Sequence, residues 1–247
     1  MENPYNDEFP TQRASKKLER TQMKKTRIAV IDNSIDHSIY NPIRHWTISL
    51  GRNFDVFKAT NHHFPDVQDF THVILTGSEA TILEREKWVY DEIDLVLEAV
   101  KKGVSILGSC YGHQLLALAL AGPQHVQKCA DPEIGWISLD INGYDDFLGK
   151  KRRAYCFSSH LDEVCELPDE FLVFASSDRC RIQGFRFNGK PIWGLQIHPE
   201  MNIMEAQRYL DKRVANKHEP LQYFRAAMNS QPQDSGLIND VVQNFLV

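Results

Sequence analysis

A chain of 247 residues, 42% hydrophobic and 25% charged, is long enough to bury a sizeable core and too apolar for global disorder. Its formal net charge of -5 gives no electrostatic support to a nucleic-acid or anionic-membrane partner. No apolar run approaches a membrane span, and the first residues are too polar for a signal peptide, so a cytoplasmic location is expected.

Residues 1–25, with Lys16-Lys17 and Lys24-Lys25, read as a flexible or capping N-terminal arm, and residues 26–247 as a single domain. "RIAVID" (27–32) is a short apolar run suited to a strand buried on both faces. Ile39, Ile43, Trp46 and Leu50 recur at helical spacing and stop at Gly51. "FDVFKA" (54–59) and "HVILTGS" (72–78) follow as strands. Val89, Ile93, Val96 and Val100 mark a helix face closed by Gly103. "VSILG" (104–108) is a fourth strand, two residues before Cys110, and "YGHQLLALALAG" the helix after it. Strands alternating with helices predict a doubly wound, mostly parallel α/β sheet.

From about residue 126 the pattern becomes strand after strand. "GWISLDI", "AYCFSS", "EFLVFASS", "RIQGFRF" and "PIWGLQI" fit an added antiparallel section, with Asn188-Gly189 as a hairpin turn. Helices return over 202–216 and in "GLINDVVQNFLV", where Leu237, Val241 and Phe245 share a face. Five cysteines without CxxC spacing, Cys110, Cys129, Cys156, Cys165 and Cys180, read as reduced thiols. All but Cys110 read as small buried hydrophobes. His62-His63 has no partner at metal-ligand spacing and reads as a solvated loop.

Cys110 stands apart because of its neighbours. Gly108-Ser109-Cys110-Tyr111-Gly112 is a G-x-C-x-G turn between strand and helix, where ligand sites of such sheets gather. Small flanking residues let the chain turn sharply and lift the sulfur out of the sheet. The helix N-terminus favours thiolate, and the Tyr111 amide is placed to bond an oxyanion. The base is sought in "LQIHPE" (195–200): a strand ending at His198, with Glu200 two residues on along an extended chain to orient the imidazole. His113, inside the first helical turn, reads as structural.

These motifs resemble the class I glutamine amidotransferases, whose catalytic domains carry a G-x-C-x-G-H-Q elbow and a later H-P-E. "EIGW" (133–136), "SSHLDEV" (158–164) and "GLQIHPE" resemble the segments of the amidotransferase domain of GMP synthases. The resemblance covers roughly residues 27–200 and implies a flavodoxin-like fold of class I amidotransferase type. It implies cleavage of a γ-glutamyl amide by a Cys110-His198-Glu200 triad through a γ-glutamyl thioester. The oxyanion hole would use the amides of Tyr111 and Gly77, the latter in "TGSEA", where many relatives have Gly-Gly-Pro. "TGSEA" also resembles a subgroup of small stand-alone members. Gln114, Ser159 and His160 match segments lining the glutamine pocket, whereas Asp162 reads as a turn residue.

No cofactor and no metal are expected. No P-loop or pyrophosphatase-like glycine-rich motif occurs, so the resemblance puts any ammonia acceptor on a separate synthetase or acceptor subunit. Two alternatives remain: a γ-glutamyl peptidase with the same chemistry, and a non-catalytic regulatory binding protein on the same fold.

Overall fold

The computed structural model describes residues 25–247, so the expected arm lies outside the described residues but for Lys25. The first apolar runs form β1 (Ile28–Asp32), β2 (Asp55–Lys58), β3 (His72–Leu75) and β4 (Ser105–Ser109). They pair in parallel in the order β2-β1-β3-β4. Then come β5 (Val126–Ile141), β6 (Arg152–Val164), β7 (Phe171–Ser176), β8 (Gly184–Phe187) and β9 (Ile192–Leu195). β9 lies parallel to β4, and from it the sheet continues antiparallel as β9-β8-β7-β5-β6, nine strands in all among the described residues. Asn188-Gly189 does turn β8 into β9, with Gly189 at φ 69°. β5 is longer than "GWISLDI" suggested. Its register on β6 slips between Lys128 and Glu133, where Pro132 has no N–H to give the ladder.

Helices cover both faces. α1 (Pro42–Leu50) and α6 (Leu237–Phe245) bury Trp46, Leu50, Leu237, Val241 and Phe245 against Ile28, Val30, Ile74 and Leu107. On the other face α2 (Lys87–Lys102) and α3 (Tyr111–Leu120) cover Ala29, Ile31, Val73, Leu75 and Ile106. Alternate residues of each central strand therefore feed two different cores, which is why those strands are apolar throughout. α1 begins later than the spacing of Ile39 implied. Asn41 caps it by accepting from the Arg44 N–H at 3.0 Å, and Pro42 occupies the first turn.

α4 (Ile203–Ala215) lies within the expected 202–216 span, but α5 (Leu221–Met228) was not anticipated. Together they carry Ala206, Tyr209, Leu210, Phe224 and Ala227 into a third cluster with Tyr40, Phe157 and Met201. This cluster sits beside the carboxyl ends of the central strands, where the candidate site lies. No helix among the described residues is long and apolar enough to cross a membrane.

Candidate active site

β4 runs one residue further than expected, so Cys110 follows it directly and α3 starts at Tyr111. Cys110 takes φ 49° and ψ -101°, a region L-residues seldom occupy. The flanking glycines explain how the turn closes. A Cβ on Gly108 would lie 2.4 Å from the Gly112 carbonyl oxygen, and one on Gly112 would lie 2.3 Å from the Leu75 carbonyl oxygen. The Cys110 N–H donates to the Leu195 carbonyl at 2.8 Å, tying the elbow to β9. Cys110 is 4% exposed; its sulfur lies 3.6 Å from the Ser159 carbonyl oxygen and 3.6 Å from Gln196 Nε2, which donates to it.

Two expectations about H-P-E are corrected. β9 ends at Leu195, not at His198, and His198-Pro199-Glu200 forms a turn rather than an extended run. The Met201 N–H donates to the His198 carbonyl at 3.1 Å, closing that turn. The turn does what extension was expected to do: Glu200 Oε1 lies 2.8 Å from His198 Nδ1. The His198 N–H donates to the Phe157 carbonyl at 2.8 Å, which pins this residue to β6.

Glu200 is itself held. Its Oε1 accepts from the Tyr40 hydroxyl at 3.2 Å and its Oε2 from the Ser109 hydroxyl at 3.1 Å. Sequence reading assigned neither donor a role. Ser109 is the variable residue of G-x-C-x-G, and Tyr40 stands 160 positions from its partner. Burial opposes ionisation of this carboxyl. The neighbouring His198 charge and hydrogen bond, with His45 beyond, outweigh it and hold Glu200 below the usual carboxylate range. For His198, burial opposes the charged ring, but the Cys110 sulfur and the Glu200 carboxylate push its pKa up to about 10.

Gly77 leaves β3 two residues after Leu75, and a Cβ there would lie 2.8 Å from His198 Cε1. Among the described residues the amides of Gly77 and Tyr111 make no hydrogen bond, so both are free to donate.

A small cleft opens in front of Cys110, and Gln114, Ser159 and His160 line it. Gln114 Nε2 is already engaged by the Asp162 carbonyl at 2.7 Å and Gln196 Oε1 at 3.2 Å. The Ser159 hydroxyl lies 3.0 Å from the Tyr209 hydroxyl. His160 turns its ring inward, Nε2 lying 3.3 Å from Glu133 Oε2 and Nδ1 3.2 Å from Cys129 Sγ. Asp162 is no turn residue. It is buried in β6, and its carboxylate accepts from the Thr81 hydroxyl in the wall of the cleft.

Of the remaining cysteines, Cys129, Cys156 and Cys180 are buried and Cys165 is partly exposed; all four are free thiols. Burial pushes the thiol pKa up in each, to about 12 for Cys180. His113 is packed against Phe185 at 4.7 Å between ring centroids, and burial holds its pKa down at about 3.

The sequence matches the family described as Glutamine amidotransferase class-I over residues 29–216. With this fold and this elbow, the chain belongs to that family and is an enzyme of its cysteine-hydrolase type. One relative, a glutamine-hydrolyzing GMP synthase subunit from Methanothermobacter thermautotrophicus, is 41% identical over 176 residues, 71% of this chain and 89% of that one. Among solved structures, a glutamine amidotransferase from Thermotoga maritima superposes with a TM-score of 0.67 at 21% identity, over 90% of this chain and 96% of its own. One from Methylobacillus flagellatus gives 0.71 at 19% identity, over 89% and 94%. Those two likenesses speak to the fold.

Proposed function

We propose that the chain hydrolyses the γ-glutamyl amide bond of glutamine or a glutamine-like substrate, with Cys110 as nucleophile, His198 as acid and base, and Glu200 as its orienting partner. One observation carries the reading. A cysteine in a strained elbow stands in hydrogen-bonding contact with a histidine whose Nδ1 is held on a buried carboxylate, leaving Nε2 for the sulfur.

The sulfur adds to the side-chain carbonyl carbon, and the carbonyl electron pair moves onto oxygen, met by the amides of Tyr111 and Gly77. His198 gives its proton to the departing nitrogen as the C–N bond breaks, leaving a γ-glutamyl thioester. Water then adds, surrendering a proton to His198, and the C–S bond breaks to release glutamate and the thiol. Glu200 stabilises the imidazolium in both halves. Ammonia is then consumed by a separate synthetase or acceptor subunit. The name of the Methanothermobacter relative, which makes it one subunit of a GMP synthase, supports that division of labour. Residues 26–247 act in this reading as one catalytic domain.

The purified chain, incubated with glutamine and a panel of γ-glutamyl peptides, is expected to release ammonia or amine, and Cys110→Ser to release none. Activity only after a synthetase is added establishes the dependent-subunit form. Inertness under every condition refutes the proposal.

A further inference from the structure

The arginine that lines the cleft has no task in the proposed reaction. Arg213 projects from α4 into the cleft that holds Cys110, and is only 9% exposed. Its guanidinium lies beside a pair of packed rings, with Cζ 4.6 Å from the Phe224 centroid and 5.8 Å from that of Tyr209. Among the described residues it makes no ion pair and no side-chain hydrogen bond, and its buried Nε has no partner. Arg44 and Arg208 nearby are by contrast both spoken for, bonding Glu205 at 3.2 and 2.6 Å. No carboxylate pairs with this guanidinium among the described residues, which leaves its fork open to an anionic ligand group. Both rings lie within cation–π distance and steady the group, whose planar fork suits a bidentate partner.

Resting on the proposed function, we infer that Arg213 recognises the α-carboxylate of the γ-glutamyl group and confines the enzyme to substrates in which that carboxylate is free. The placement fits the chemistry. His198 hands its proton to the leaving amine, and it lines an adjoining, smaller recess with Tyr40 and Met201 that Arg213 does not line. The amino-acid end of the substrate therefore runs the other way, along the wall bearing Arg213. The rest of that wall fits a zwitterion better than a dianion such as phosphate. Glu79, its carboxylate accepting from the N–H groups of Ile35 and Asp36 at 2.8 and 3.1 Å, and Asp162 line the same cleft. They supply negative charge for an α-ammonium group beside the positive charge for its carboxylate.

The test labels Cys110 in wild type, Arg213→Gln and Arg213→Lys with three electrophiles. These are a glutamine-like diazoketone with a free α-carboxylate, its α-methyl ester, and iodoacetamide. Losing a charge-assisted hydrogen-bond pair should slow labelling of Arg213→Gln by the free acid at least about tenfold. The ester and iodoacetamide should label it at wild-type rates, and Arg213→Lys should fall between. Wild-type protein should itself prefer the free acid to the ester. Should Arg213→Gln fail to fold by circular dichroism, that wild-type preference and the lysine variant decide. Selective labelling of Cys110 that ignores both Arg213 and the α-carboxylate overturns this assignment alone. Labelling with no preference for Cys110 over the other cysteines overturns the proposed function and this inference with it.

Discussion

Replacing Gly112 by alanine tests the link between backbone geometry and reactivity directly. The added methyl would sit 2.3 Å from the Leu75 carbonyl oxygen and 2.7 Å from the Leu75 Cβ. Leu75 belongs to a strand paired on both sides, so the backbone it belongs to has little freedom to yield. The start of α3 must instead withdraw by about 1 Å, the gap between 2.3 Å and the 3.4 Å at which ordinary contact begins. That movement strains the Gly112 N–H bond to the Thr76 carbonyl, now 3.2 Å, and carries Cys110 and the Tyr111 amide off their positions. Overpacking of this kind costs ~1–3 kcal/mol of stability. A displacement of ~1 Å at reacting groups costs on the order of a hundredfold in rate. Gly103→Ala is the control. Gly103 closes α2 at φ 70° with nothing within 4 Å of its Cβ position, so it should lose ~1–2 kcal/mol and keep its rate. Ammonia release from glutamine and thermal unfolding measure the two effects on the same preparations. A Gly112→Ala enzyme with wild-type kcat would refute the argument that the elbow needs glycine to place the sulfur.

His198→Ala should lose at least about a hundredfold in kcat, and Glu200→Gln less, while His113→Ala should stay above His198→Ala. The opposite order of the two histidines would exchange their assignments. Tyr40→Phe and Ser109→Ala each remove a donor from Glu200, so its carboxyl pKa rises and the acid limb of kcat/KM moves to higher pH. Superimposable profiles would show that these hydroxyls do not hold the carboxylate. Glu92, fully buried in α2 with both oxygens unpartnered, has its pKa raised well above 4.5 by burial. In the unfolded chain it ionises near 4.5, so above that pH folding takes up a proton. Stability then falls by about 1.4 kcal/mol per pH unit until the folded pKa is reached. Glu92→Gln should flatten the stability curve just above that pH, and urea titrations that stay parallel to wild type would count against a neutral buried Glu92.

Much of the site was legible because it depends on neighbours in the chain. G-x-C-x-G encodes its own turn, since Gly108 and Gly112 are required by contacts within two residues of Cys110 and with the strand beside it. H-P-E likewise delivers His198 and Glu200 within one turn, although the turn differs from the extended geometry expected. The supports were not legible. Tyr40 reaches Glu200 from the loop before α1, and Arg213 reaches the cleft from a helix that the sequence reading placed at 202–216 without giving any of its residues a role. Asp162 was misread for the same reason. Its polar character suggested a turn, but a hydroxyl from Thr81, distant in sequence, makes a buried strand position tenable.

Alternation of apolar runs and helical faces, and the residues packed tightly around Cys110, are properties of short segments. The sequence alone therefore determined an α/β sheet with a parallel core and a cysteine on a tight turn at its carboxyl edge. Tertiary structure decided what a segment cannot record. It laid β9 beside β4 so that His198 meets the elbow, drew Tyr40 and Ser109 onto Glu200, and folded α4 and α5 over the cleft. Each of these contacts joins groups far apart in the chain and acts only after water has been excluded from between them. Their strength comes from burial, and burial belongs to the folded whole.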